Sequence, residues 1–311
     1  MKLLVISLPL LILACAGIAG RSTQETPPDI PSPPKVTDSV RLSFARTLGT
    51  KDDIRSPWGL SFGVDGTLYV CDRDRSSIVR LAGDGAVISR FDSFTNRTER
   101  LYAPIDVCSS SGIEIYAIDA TGSRVLRFDR NLQNGFTIFR GKTREVRLFG
   151  AFNGLAYDKM SGDLYITDRD AGAVLRVDML GGSIRSLGGF GSDRANLRQP
   201  AGLDVDDNGV LYIADTGKGA VAIVKIFGEK ITFIGGDVLE APVDVAVLPD
   251  GKIAVADRHG VIILSVAGTA EAFAGYGVDR RMAPRSVAFR EGKLYVSDGV
   301  SASILVYEVG K

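Results

Sequence analysis

The sequence predicts an all-β fold, a six-bladed β-propeller with four-stranded blades in which an N-terminal strand closes the last blade. Three observations lead there. A hairpin pattern recurs six times, each repeat period holds four strands, and the last repeat lacks one strand that a segment ahead of the first repeat supplies.

The repeat outranks any local pattern, because self-similarity at a fixed period defines the architecture. Its six copies are SPWGLSFGVDGTLYVCD, APIDVCSSSGIEIYAID, FNGLAYDKMSGDLYITD, PAGLDVDDNGVLYIAD, APVDVAVLPDGKIAVAD and APRSVAFREGKLYVSD. A first landmark falls at Pro57, Pro104, Phe152, Pro200, Pro242 and Pro284. The closing carboxylate falls at Asp72, Asp119, Asp168, Asp215, Asp257 and Asp298, 41–49 residues apart. That period suits one four-stranded blade. Each copy alternates apolar and polar residues, turns at a DG, NG, SG or EG pair, and runs into a Leu-Tyr-Val-like strand, which is a hairpin signature. A third strand such as Ile78-Val79-Arg80-Leu81 follows the Asp, and then a fourth. Sheets of this size cannot bury both faces alone, so the blades must pack face to face around an axis. The sixth copy reaches Lys311 after three strands. The alternating segment from Arg41 to Leu48 is expected to complete that blade and remove its open edge.

Three segments follow in order: residues 1–20 as signal peptide and lipobox, 21–39 as a Pro-rich flexible tether, and 40–311 as the propeller. The start, MKLLVISLPLLILACAGIAG, has one Lys, an apolar run and then small residues, the pattern of a secretory signal. Ile12-Leu13-Ala14-Cys15 resembles a bacterial lipoprotein box, which makes Cys15 the expected lipidation site. Ala14-Cys15-Ala16 also fits a simple cleavage site, and an uncleaved anchor is a third reading, disfavoured by Pro9 and the short apolar length. The expected location is therefore the bacterial cell envelope, as a periplasmic or outer-membrane-attached lipoprotein, or the exterior. Cys71 and Cys108, at similar heights in neighbouring blades, are read either as a disulfide or as buried free thiols.

Composition narrows the chemistry. Lys+Arg and Asp+Glu both number 37, so no net positive field favours nucleic acid. One histidine, His259, leaves little for imidazole-based catalysis or zinc. There is no G-x-S-x-G elbow, no phosphate-cradling Gly loop and no C-x-x-C pair. No catalytic residue, metal site or cofactor is assigned.

The repeats resemble the NHL-repeat family, whose units share a P-x-G-[LV]-A-[VL]-D…G-x-[LV]-Y-V-A-D-T…N-R-[IV] pattern. The resemblance runs from about Pro57 to Tyr307, and DNGVLYIADTGKGAV in the fourth copy matches best. The Arg that often stands five residues after the Asp survives only at Arg124, with Ser77, Ala173, Ala220 and Ser303 elsewhere. Gluconolactonase-like and regucalcin-like propellers, which the architecture also resembles, hold a divalent metal with inner Glu, Asn and Asp residues; here only Asn153 matches. Peptidylglycine-lyase and virginiamycin-lyase propellers use several His residues, which one imidazole cannot reproduce.

Features present in every copy serve the fold, whereas features present in one copy are candidates for function. The six closing Asp residues are expected to accept N–H groups of the turn that follows them, and the Tyr residues 69, 116, 165, 212 and 295 are expected in the core. The position after the first landmark, Trp58, Ile105, Asn153, Ala201, Val243 and Arg285, is expected at one mouth of the channel. Loops on that side carry Arg97, Arg100, Arg140, Lys142, Arg144, Arg147, Arg194, Arg198, Arg280 and Arg281, while hairpin turns on the other side favour acid. Candidate ligand contacts are Trp58, Asn153, Arg285, Arg144, Arg147, Arg194 and Arg281. The expected function is non-catalytic binding or scaffolding of a protein, envelope glycan or anionic ligand by a monomeric domain. The alternatives are a metal-dependent hydrolase or lyase with an atypical channel site, and an electron-transfer or envelope-complex accessory subunit without its own cofactor.

Overall fold

The computed structural model describes residues 32–92, 99–141, 150–188, 196–225, 230–258, 260–275 and 278–310. Strand β1 (Arg41–Leu48) comes first. Blade one is β2 (Pro57–Phe62), β3 (Leu68–Asp72), β4 (Ser77–Leu81) and β5 (Val87–Asp92); blade two is β6 (Pro104–Ser109), β7 (Glu114–Asp119), β8 (Arg124–Asp129) and β9 (Phe136–Arg140). Blade three is β10 (Phe152–Tyr157), β11 (Leu164–Asp168), β12 (Ala173–Val177) and β13 (Ser183–Gly188); blade four is β14 (Pro200–Val205), β15 (Leu211–Asp215), β16 (Ala220–Val224) and β17 (Thr232–Ile234). Blade five is β18 (Asp244–Val247), β19 (Ile253–Asp257), β20 (Gly260–Leu264) and β21 (Ala270–Gly275). Blade six is β22 (Pro284–Arg290), β23 (Lys293–Asp298) and β24 (Ser303–Gly310), with β1 as its outermost strand in the order β1-β24-β23-β22. The expected closure is present: β1 pairs antiparallel with β24 from Arg41↔Gly310 to Leu48↔Ile304, with one bulge at Phe44/Arg46.

The inner strands β2, β6, β10, β14, β18 and β22 each touch the next, and β22 touches β2, which makes a closed ring. Six apolar clusters fill the six junctions between blades; Val70 and Val79 of blade one, for example, pack with Ile304 and Val306 of blade six. Tyr69, Tyr116, Tyr165 and Tyr295 are buried as expected, while Tyr212 is half-buried. Residues ahead of β1 also pack: Val36 lies against the cluster between blades four and five, and the Thr37 N–H donates to the Ala270 carbonyl at 3.1 Å.

Each junction also carries a bond from an inner side chain to the backbone of the next blade. Ser61 Oγ accepts from Ser109 N (3.1 Å), Asp106 Oδ2 from Leu155 N (2.6 Å), Asp204 Oδ2 from Val247 N (2.8 Å) and Asp244 Oδ2 from Val287 N (3.0 Å). Ser286 Oγ accepts from Leu60 N (3.1 Å), and Thr167 Oγ1 donates to the Ala201 carbonyl (2.5 Å). Such bonds satisfy inner-strand groups that no strand ladder reaches.

The closing Asp residues are structural, at most 5% exposed, but their main donors differ from expectation. Asp72 accepts from Arg55 N and Ser56 N, Asp119 from Tyr102 N and Ala103 N, Asp215 from Arg198 N and Gln199 N, and Asp257 from Glu240 N and Ala241 N, at 2.7–3.2 Å. Asp168 and Asp298 bond the equivalent segment through Gly150, Ala151 and Ala283. These amides precede the blade's first strand. The following turn also donates at Asp168, Asp215 and Asp298. In four blades the register sets this Asp opposite a proline with no N–H to give: Asp72, Asp119, Asp215 and Asp298 pair with Pro57, Pro104, Pro200 and Pro284. In all six blades the carboxylate reaches the amides ahead of the first strand and ties the incoming loop to the blade.

Candidate functional site

In blades one, two, three, four and six the pairing register slips just after the first landmark, between Pro57/Leu60, Pro104/Asp106, Phe152/Leu155, Pro200/Leu203 and Pro284/Ser286. A bulge there releases one or two residues from the ladder and re-aims them. They face the axis. Trp58, Ile105, Asn153, Ala201, Val243 and Arg285 all line one cavity of about 310 Å³, with Gly59, Asp106, Gly202, Asp244 and Ser286 one step further along the same strands. Arg169, Gln199 and Thr216 border it from the loop side.

Trp58 and Arg285, on neighbouring blades, meet at the mouth. The Arg285 guanidinium lies 4.4 Å from the Trp58 ring centre and the Arg73 guanidinium lies 4.5 Å from it, a favourable cation–π geometry. Burial, and then the charge of Arg73, push the Arg285 pKa below the ordinary arginine range. Its Nε is buried without a hydrogen-bond partner. Arg73 is the residue after a closing Asp; the same position holds Arg169 in blade three and Arg258 in blade five, so alternate blades present arginine on the loop side.

Deeper in the ring stand carboxylates that the sequence reading overlooked. Asp106 and Asp244 line the cavity from blades two and five, on opposite sides of the axis, and Asp204 sits on the inner strand of blade four. Burial, and secondarily the charge of Asp244, push Asp106 well above the usual carboxylate range. Burial raises Asp204 as well. Asp244 is pushed up to about 7, by burial first, against the opposing bonds from Ser286 and the Val287 amide. Asp106 is half-buried by surface area, yet that surface opens on the cavity, and the ring of blades keeps it poorly solvated. Space for these side chains comes from glycine: a Cβ at Gly59 would overlap Asp106, and one at Gly202 would overlap the Asp244 carboxylate. The missed signal was present in the repeats, where Asp stands two residues past the landmark in PIDV and PVDV but in no other copy. Among the described residues no group of three His, Cys, Asp or Glu is placed to share a metal ion.

Of the other sequence candidates, Arg281 is exposed on the loop side and does not border the cavity. Arg144, Arg147 and Arg194, together with Cys15 and His259, lie outside the described residues. Exposed Arg100, Arg140, Arg198 and Arg281 form no ion pair among the described residues, whereas on the hairpin side Asp65, Asp163, Asp207, Asp250 and Glu291 are paired with Arg80, Arg176, Lys159, Lys252 and Arg290. Glu99 is taken by Arg124 at 2.6 Å. Cys71 and Cys108 are buried free thiols.

Ring, blades and channel define the class: a six-bladed β-propeller with a polar cavity on its axis. The NHL repeat family model matches residues 197–224, across the first three strands of blade four, so this propeller carries an NHL repeat there. No curated protein sequence matches it. Among solved structures, virginiamycin B lyase from Staphylococcus aureus is similar with a TM-score of 0.61 at 10% identity, covering 88% of this chain and 99% of that one. The nidogen/laminin complex gives 0.61 at 20% identity, covering 75% and 84%. The PQQ-bound aldose sugar dehydrogenase from Streptomyces coelicolor gives 0.60 at 20%, covering 89% and 99%. Identities this low demonstrate a shared fold, which hosts enzymes and binding proteins alike.

Proposed function

We propose that this protein is a non-catalytic recognition propeller of the bacterial cell envelope, exported and held there through Cys15, that binds an acidic partner protein on its loop-bearing face. The observation that carries the reading is the pair of guanidiniums, Arg73 and Arg285, over Trp58 at the mouth, neither bonded to a carboxylate among the described residues. Unpaired exposed arginines around that mouth extend the same field, while the opposite side is largely neutralised by its own ion pairs. Guanidinium suits this task because its fork matches a carboxylate and it loses little hydration on pairing. The rigid ring leaves the loops free to vary without disturbing the core. A propeller of the same fold in the nidogen/laminin complex is a precedent for protein recognition.

In-cell crosslinking of the wild-type chain and an Arg73→Ala/Arg285→Ala variant, followed by affinity measurement with the partner identified, tests this. Two charge-assisted contacts of about 1.5–3 kcal/mol each predict an affinity loss of at least about tenfold in the variant. Unchanged affinity refutes the reading. Stoichiometric calcium or zinc in the purified protein, with turnover of a lactone or ester, would replace it with an enzymatic one.

A further inference from the structure

The cavity under the mouth is lined by ionisable groups of both kinds at different depths. On its wall Asp106 and Asp244 stand on opposite blades, and neither has a Lys or Arg ion-pair partner among the described residues. Toward the mouth Arg285 forms no ion pair among the described residues, although Asp74 and Asp298 act on its charge from further off, and its buried Nε has no hydrogen-bond partner. Poor solvation disfavours the charged forms of such groups, and a ligand of matching charge offsets that cost.

We propose that this cavity binds a small molecule carrying a carboxylate at one end and a protonated amine at the other. The carboxylate pairs with Arg285 and Arg73 beside Trp58, and the ammonium enters between Asp106 and Asp244. The carboxylate half rests on the mouth reading given above; the ammonium half does not. Four features support it. The volume, about 310 Å³, lies at the low end of small-molecule pockets, too small for a folded segment and adequate for a ligand of amino-acid size. The binding groups are held before the ligand arrives: Asp106 by the amides of Val107 and Leu155, Asp244 by that of Val287, Arg285 by stacking, which reduces the ordering cost of binding. Each carboxylate already spends acceptor sites on backbone N–H groups, and no third ligating side chain joins them among the described residues, so a hydrogen-bonding ammonium fits better than a metal ion. Asn153, Gln199 and Thr216 also line the cavity and offer neutral polar contacts.

Calorimetric titration of the purified full chain with 4-aminobutyrate, 6-aminohexanoate, butyrate and butylamine tests the proposal. One or both amino acids are expected to bind at least about tenfold more tightly than butyrate and butylamine. Asp244→Asn should remove most of that advantage while leaving butyrate binding unchanged; Arg285→Gln should weaken butyrate and the amino acids together. Asp106→Asn serves as the second variant, and because the comparison of the four compounds on the wild-type chain needs no substitution, misfolding of a variant does not rescue the proposal. Amino acids that bind no better than butyrate, or no better than butylamine, overturn it, as does the absence of heat with all four. If butyrate binds and Arg285→Gln abolishes that binding, the mouth reading survives such a failure. If Arg285→Gln changes neither butyrate nor partner affinity, the mouth reading fails on its own account.

Discussion

Replacing Asp119 and Asp257 separately by Asn probes what the repeat carboxylates do and how blade two departs from the rest. Asp257 in blade five accepts two backbone N–H groups, from Glu240 at 3.0 Å and Ala241 at 2.7 Å. Asp119 accepts the equivalent pair from Tyr102 and Ala103, and its Oδ2 also takes Arg124 Nη2 at 2.9 Å and Nε at 3.2 Å. Arg124 is only 7% exposed at its side chain and Asp119 not at all. An Asn keeps one carbonyl acceptor and presents an NH2 where the second oxygen stood. In blade five the loss is one charge-assisted bond, about 1.5–3 kcal/mol. In blade two the substitution also removes one carboxylate from a buried guanidinium, and breaking a buried pair costs about 3–5 kcal/mol. Glu99, 2.6 Å from Arg124 Nη1, retains part of that. Asp119→Asn is therefore expected to destabilise by about 1–2 kcal/mol more than Asp257→Asn. Urea unfolding followed by tryptophan fluorescence and far-UV circular dichroism measures both, with Trp58 as the single reporter. Equal losses at the two sites, or a smaller loss at Asp119, would refute the claim that Arg124 adds a load-specific role to this carboxylate.

Two further perturbations address closure and the channel. A chain starting at residue 49 loses Leu48, which is 3% exposed, and the whole β1–β24 ladder; one buried Leu at about 1.5–3 kcal/mol plus several net backbone bonds near 1 kcal/mol each predicts a melting temperature lower by at least about 10 °C, with aggregation through the bared β24 edge. A melting scan within a few degrees of the full chain would show that blade six closes without β1. Asp244 links stability to pH. Its folded pKa, about 7, lies above the ordinary value of 3.8, so between those values the native chain holds a proton that the unfolded chain has released. Stability from this group is complete below the ordinary value and is lost as pH rises through the folded one, at up to about 1.4 kcal/mol per pH unit. Asp244→Asn, which mimics the protonated form, is expected to raise the urea midpoint near neutrality and flatten its pH dependence across that window; a variant that tracks the wild type at every pH contradicts the assignment.

Repetition along the chain was enough to establish six blades, four strands in each, and the return of residues 41–48 to the last blade, because these depend on local alternation and turn chemistry copied at a steady period. The same repetition identified which inner positions face the axis. It did not reveal what those positions meet. The Ser286 hydroxyl accepts the Leu60 amide across 226 residues of chain, and Asp106 opposes Asp244 across the axis, only because the ring closes. The expected turn donors to the closing carboxylates are present at Asp168, Asp215 and Asp298, but the amides ahead of each blade's first strand were missed for a related reason: which segment lies beside the Asp becomes visible only once the strand register is set. Periodicity fixes the conformation of each unit, whereas burial, charge opposition and the cavity between Arg285 and Asp244 arise from the packing of distant units, and packing is decided by the tertiary structure.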